Sequence, residues 1–144
     1  MTVIGIIGSR KRNDEKDKEV LISKLKELVP LYGGTENVIF CSGHCKKGGD
    51  KFAEEIALEI YGEDFFNKMI IHKPDESELN ETLLKINPRA AYAEINYKRN
   101  TLIAKDSDIL IALVSIGRRG GAEDTIKKFK KFNPKSWKSK LFLL

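Results

Sequence analysis

Apolar positions along the chain follow two rhythms that alternate. Short unbroken runs predict buried strands, and runs spaced three or four residues apart predict helices. Val3 to Ile7 is the first short run, ending at Gly8-Ser9-Arg10, with a polar loop after it. Leu21, Leu25, Leu28 and Val29 then recur at helical spacing, predicting a helix from about Asp14 to Val29 with Asn13 or Asp14 as its cap. Gly33-Gly34 stops it. Val38 to Cys41 predicts a second strand, and Phe52, Ala53, Ile56, Ala57 and Ile60 an amphipathic helix that Gly62 ends. Lys68 to His72 predicts a third strand. Residues 73–87 are the least regular stretch, where Leu79, Leu83 and Leu84 allow either a short helix or a flap. Asn87-Pro88 reads as a cap followed by proline at the first helical position, opening a helix to about Lys105. Ile109 to Val114 is a β-branched run buried on both faces, and Ile126 and Phe129 mark the helix that follows. Asn133-Pro134 ends that helix, and Leu141 to Leu144 predicts a last strand.

Strand and helix thus alternate through five strands. That order predicts one three-layer α/β domain over residues 1–144, with a five-stranded, mainly parallel sheet between helices. A length of 144 residues suits a single core, and 41% apolar with 33% charged residues is a globular composition. No apolar run approaches a membrane span, and the N-terminal run lacks the basic flank and cleavage site of a signal peptide. The expectation is a cytoplasmic chain with no membrane partner.

A parallel sheet brings all strand C-termini to one edge. Three loops on that edge are rich in glycine, hydroxyl and base: Gly8-Ser9-Arg10; Ser42-Gly43 through Lys46, Lys47, Gly48, Gly49 and Asp50; and Ser115 through Gly117, Arg118, Arg119, Gly120, Gly121 and Ala122. Glycine lets backbone approach a ligand, a helix N-terminus presents unpaired amides, and arginine offers a donor fork matched to phosphate. The three together predict a nucleotide or nucleotide-derived ligand. Asp50 reads either as a helix cap or as a ribose ligand, and Arg99-Asn100, on the helix leading into the fourth strand, reads either as packing or as ligand binding.

Cys41, His44 and Cys45 invite a metal reading, but a closed zinc site needs four ligands and the other histidine, His72, is distant in sequence. Neither a metal, a cofactor nor a disulfide is assigned. Net charge is +5, and seven lysines lie between Lys127 and Lys140, beside Phe132 and Trp137. Those residues read as a solvated helix face or as a footprint for single-stranded nucleic acid. A homodimer is the other partner to be tested.

Ile4 to Arg10, Ser42-Gly43 with Gly48-Gly49-Asp50 and Ala53, Tyr97-Lys98-Arg99-Asn100 with Asp106-Ser107-Asp108, and Gly120-Gly121-Ala122 with Asp124-Thr125-Ile126 resemble the SLOG superfamily, and within it the YspA-like group. The resemblance runs from residue 3 to about 130. It implies a Rossmann-like domain that binds a nucleotide at the strand C-termini. The superfamily also holds the LOG phosphoribohydrolases and the DNA-processing protein A family. LOG enzymes use an arginine before the fourth strand, which Arg99 matches, and a glutamate in a Pro-Gly-Gly-x-Gly-Thr-x-x-Glu motif. Here no proline precedes Gly120-Gly121, and Thr125 or Lys127 stands in the glutamate's place, depending on register. The resemblance therefore implies a ligand-binding or sensor domain. The alternative is a nucleoside-monophosphate N-glycosidase using Arg99 with Glu123 or Asp124.

Overall fold

The computed structural model describes residues 1–144. The five apolar runs are five strands: β1 (Thr2–Gly8), β2 (Val38–Gly43), β3 (Met69–His72), β4 (Ile109–Leu113) and β5 (Leu141–Leu143). They form one sheet in the order β3-β2-β1-β4-β5, and all four pairings are parallel. The expected "mainly parallel" sheet is parallel throughout.

The connecting helices are α1 (Glu15–Leu31), α2 (Gly49–Tyr61), α3 (Phe65–Lys68), α4 (Glu81–Ile86), α5 (Pro88–Asp106), α6 (Gly121–Phe132) and α7 (Trp137–Lys140). Asp14 caps α1 in a capping box with Asp17, so of the two candidate caps Asp14 is the one used. Asn87 caps α5 through the Ala90 amide, with Pro88 in its first turn. Residues 73–87 hold a short 3-10 turn at Glu76–Glu78 and α4, capped by Asn80. The sequence reading missed α3 and α7, which at four residues each are too short to show a helical period.

Strand side chains alternate between two cores. Ile4, Ile6, Val38, Phe40, Ile109, Ile111 and Leu113 face α1 and α2, meeting Leu21, Leu25, Leu28, Phe52 and Ile56. Ile7, Cys41, Leu110 and Ala112 face α5 and α6, meeting Ile103, Ala104, Ile126 and Phe129. These are the three layers of a Rossmann-like fold. Gly5 lies on the second face, where a Cβ would strike the buried Ser107, so α5 can end close against the sheet.

Two features position the site. The chain steps outward from β1 to β2 and β3, then returns to the far side of β1 as β4, so strand order reverses between β1 and β4. The 19 residues of α5 span about 28 Å, against about 17 Å for the five of β4. Because α5 ends near the start of β1, where the Asp108 amide donates to the Val3 carbonyl, its N-terminal turns rise past the strand C-termini and form a wall.

Candidate functional site

The loops after β1 and β4 leave toward opposite faces, α1 on one and α6 on the other, and a crevice opens between them at the point of reversal. A cleft of about 380 Å³ occupies it.

The β1 loop forms its floor. The Ser9 amide donates to the Leu113 carbonyl at 2.8 Å, and the Ser9 hydroxyl accepts from the Lys11 amide. Arg12 sends Nη1 to the carbonyls of both Val114 and Leu144, each at 2.8 Å, and its Nε to Asp17. A residue read from sequence as loop is thus a clamp between the β1 loop and the ends of β4 and β5. Asn13, the other candidate cap of α1, instead accepts from the Gly48 amide at 2.8 Å. The start of α2 presses on this loop from beneath. A Cβ on Gly49 would fall on the Ile7 carbonyl, and one on Gly48, whose φ is 78°, would fall on the Ser9 carbonyl oxygen. These glycines serve close backbone packing under the cleft rather than its lining.

Asp50 follows them into α2, so it is a helical residue rather than the N-cap, and Gly48 takes the cap position. Its carboxyl contacts the Ser42 Oγ at 2.9 Å and the Cys45 amide at 3.1 Å, and it lines the cleft at only 7% exposure. Burial pushes this carboxyl above the usual carboxylate range; the Ser42 side chain, Arg99 and the Cys45 amide pull the other way. Across from it stands Arg99. A Cβ on Gly43 would lie 2.6 Å from Arg99 Nη1 and 2.7 Å from Asp50 Oδ2, so glycine here leaves the two groups facing each other.

Asn100 braces this corner. It is 3% exposed, accepts from Arg99 Nε at 2.9 Å, and donates to the Gly121 carbonyl and the Asp124 carboxylate. The N-terminus of α6 opens on the cleft without a side-chain cap, after Gly120 at φ 106°. Two adjacent arginines precede it and divide. Arg118, at φ 49°, turns back to a forked ion pair with Glu123, while Arg119 lines the cleft with no carboxylate partner.

Of the residues singled out from sequence, Gly8, Ser9, Arg10, Asp50, Arg99, Asn100, Arg119, Gly120, Gly121 and Ala122 line this one cleft. Ser42, Gly43, Gly48 and Gly49 support it from behind, and Lys46, Gly117 and Arg118 lie outside its lining. Glu123 and Asp124 are also outside: the first is held by Arg118, and the second by Lys128 at 2.8 Å and by Asn100. The sequence reading did not assign Ile7, Lys11, Cys45, Ala93, Asn96, Tyr97, Ile103 or Thr125 to the site. Ala93, Asn96, Tyr97, Asn100 and Ile103 form one helical stripe on α5, and that spacing from Asn100 was the available signal.

Cys41 is buried between the sheet and α5, and burial, the largest cause, pushes its thiol up to about 12. No three His, Cys, Asp or Glu residues cluster as metal ligands. His44 instead meets Glu54, and His72 meets Asp106 at 2.6 Å. Trp137 is half-buried against the α5/α6 core, with Lys130 Nζ 4.4 Å from its ring centre and Lys138 at 5.9 Å. No helix is long and apolar enough to cross a membrane. Comparison with family models, curated proteins and solved structures gives no match.

Proposed function

We propose that the cleft binds a nucleotide or nucleotide-derived ligand, with its phosphate toward Arg10, Arg119 and the start of α6, and that the domain acts in ligand binding or sensing. One observation carries this reading. Arg10, Arg99 and Arg119 meet on one cleft and none has a carboxylate partner, whereas Arg12 and Arg118 just outside it are both paired. Three unneutralised guanidinium groups beside an uncapped helix N-terminus favour a polyanion or a phosphate ester. Ile7, Ala93, Ile103 and Tyr97 supply apolar surface for a base or sugar beyond the phosphate. The ion pairs that hold Glu123 and Asp124 leave binding better supported than cleavage through either carboxylate.

Calorimetry against mono-, di- and cyclic nucleotides tests the proposal. Saturable binding of at least one, lost in Arg119→Ala, is the expected result. Failure across the panel overturns it.

A further inference from the structure

Ser42 is fully buried, and its Oγ lies 2.5 Å from the Ile6 carbonyl oxygen and 2.9 Å from Asp50 Oδ1. A hydroxyl has one hydrogen to donate, and a carbonyl has none. The shorter contact therefore takes the Ser42 hydrogen. The second contact needs a hydrogen from elsewhere, and Asp50 is its only source. Oδ1 then donates to Ser42, while Oδ2 accepts from the Cys45 amide. One oxygen donating and the other accepting is the pattern of a neutral carboxylic acid. An ionised Asp50 would instead leave two acceptor oxygens, Ser42 Oγ and Ile6 O, in contact with no hydrogen between them.

A neutral Asp50 also accounts for Arg99. The two side chains face each other across Gly43, yet no ion pair joins them. Arg99 gives its Nε to Asn100, and its Nη1 lies by Gly43 at the edge of the cleft that it lines.

We propose that Asp50 is a proton-bearing acid in the resting cleft and that its proton keeps Arg99 free for an anion; the inference rests on the anion-binding reading above. Loss of the proton places a carboxylate opposite Arg99, which captures the guanidinium and repels an incoming anion. Anion affinity therefore falls as pH rises through the Asp50 pKa. The other groups facing Asp50 divide by sign. Arg99 on α5 favours ionisation and Glu54 on α2, with His44 against it, opposes it, while Arg10, Lys11 and Arg119 line the same cleft. Cys41 and Cys45 are the neighbouring thiols. Burial, the largest cause, keeps the carboxyl above the ordinary range.

The test uses inorganic sulfate, whose charge is constant across the range, titrated by calorimetry into the full chain between about pH 5 and 9. Asp50→Asn mimics the neutral acid, because its amide nitrogen donates to Ser42 and its oxygen accepts from Cys45. Wild-type affinity is expected to fall by up to about tenfold per pH unit above the carboxyl's pKa, and the variant to bind with little pH dependence. In parallel, carbon-13 NMR of the Asp50 carboxyl reads its proton directly in the free protein. Without ligand, the melting temperature of Asp50→Asn should exceed that of wild type by a margin that widens with pH from about 4 to the raised pKa, because the unfolded state ionises first. An ordinary carboxyl pKa, or the same sulfate profile in both proteins, overturns the gating while leaving anion binding intact. Absence of sulfate and nucleotide binding in both proteins overturns the anion site itself, and the gating with it.

Discussion

The two faces of the sheet are built to different ends. Against α1 and α2 lies a buried apolar cluster of 16 residues, and against α5 and α6 one of eight. On the second face the apolar packing gives way toward the strand C-termini, where α5 overhangs the sheet and the buried residues become Asn100 and Thr125. Apolar burial supplies most of the free energy of folding, so the first face is the main source of stability. The second face keeps enough core to hold its helices and gives its upper end to polar groups that must stay fixed in an open crevice. On the proposed reading of the crevice, stability and ligand binding respond to different substitutions.

The sharpest contrast is between the two thiols. Cys41 is enclosed between the sheet and α5, with its thiol pushed up to about 12, and Cys45 sits half-buried at the cleft. With a thiol-alkylating reagent near pH 8, the buried Cys41 should stay unlabelled while Cys45 reacts, as long as the protein is folded. Ligand should slow Cys45 alone. Peptide mapping of the label reads both.

Phe40→Ala tests the first face. Phe40 is fully buried and packs edge-on to Tyr61 at 5.9 Å, so the variant should lose about 3–5 kcal/mol in denaturant unfolding. Well below its melting point, its nucleotide affinity should stay within about twofold of wild type. A comparable loss of affinity would show that the faces are not separable. Arg119→Ala, in the cleft, should do the reverse: phosphate binding weakens by about 1–3 kcal/mol, and unfolding changes by less than about 0.5 kcal/mol. The smallest effect belongs to its neighbour. Arg118→Ala removes an ion pair at the surface and should cost less than about 1 kcal/mol in stability, with little change in binding. Calorimetry on the two arginine variants side by side would expose a misassigned pair.

The strands were legible because runs such as Ile109 to Leu113 are apolar on both faces, and only a central strand between two helical layers buries such a run. The crevice was legible because parallel topology sends every glycine-rich loop to one edge. The fate of individual polar residues was not. Arg118 and Arg119 are adjacent and chemically identical, and what separates them is a left-handed backbone at the first and Glu123 five residues on. Asp50 looked like a cap because it precedes a helical pattern, yet Gly48 and Gly49 had already started the helix against Ile7 and Ser9. Arg99, read either as packing or as ligand binding, lines the cleft opposite Asp50. The start of α2 rests on contacts with Ile7 and Ser9, far away in sequence, and the Arg118 ion pair on a local backbone conformation; periodicity along the chain encodes neither.

The Arg12 clamp carries a consequence for how the protein comes to be made. Its guanidinium reaches the Leu144 carbonyl across 132 residues of sequence, and the same loop bears Ser9 and Arg10 on the cleft floor. During synthesis the N-terminal loop emerges early, but its anchor at Leu144, just past β5, emerges only when that residue has left the ribosome. Until then β4 lacks its outer neighbour and the loop lacks one of its two carbonyl anchors. A nascent chain that already holds β1, α1 and β2 thus waits on its last strand before the crevice acquires a fixed floor, and contacts of such long sequence separation are the slow ones to form.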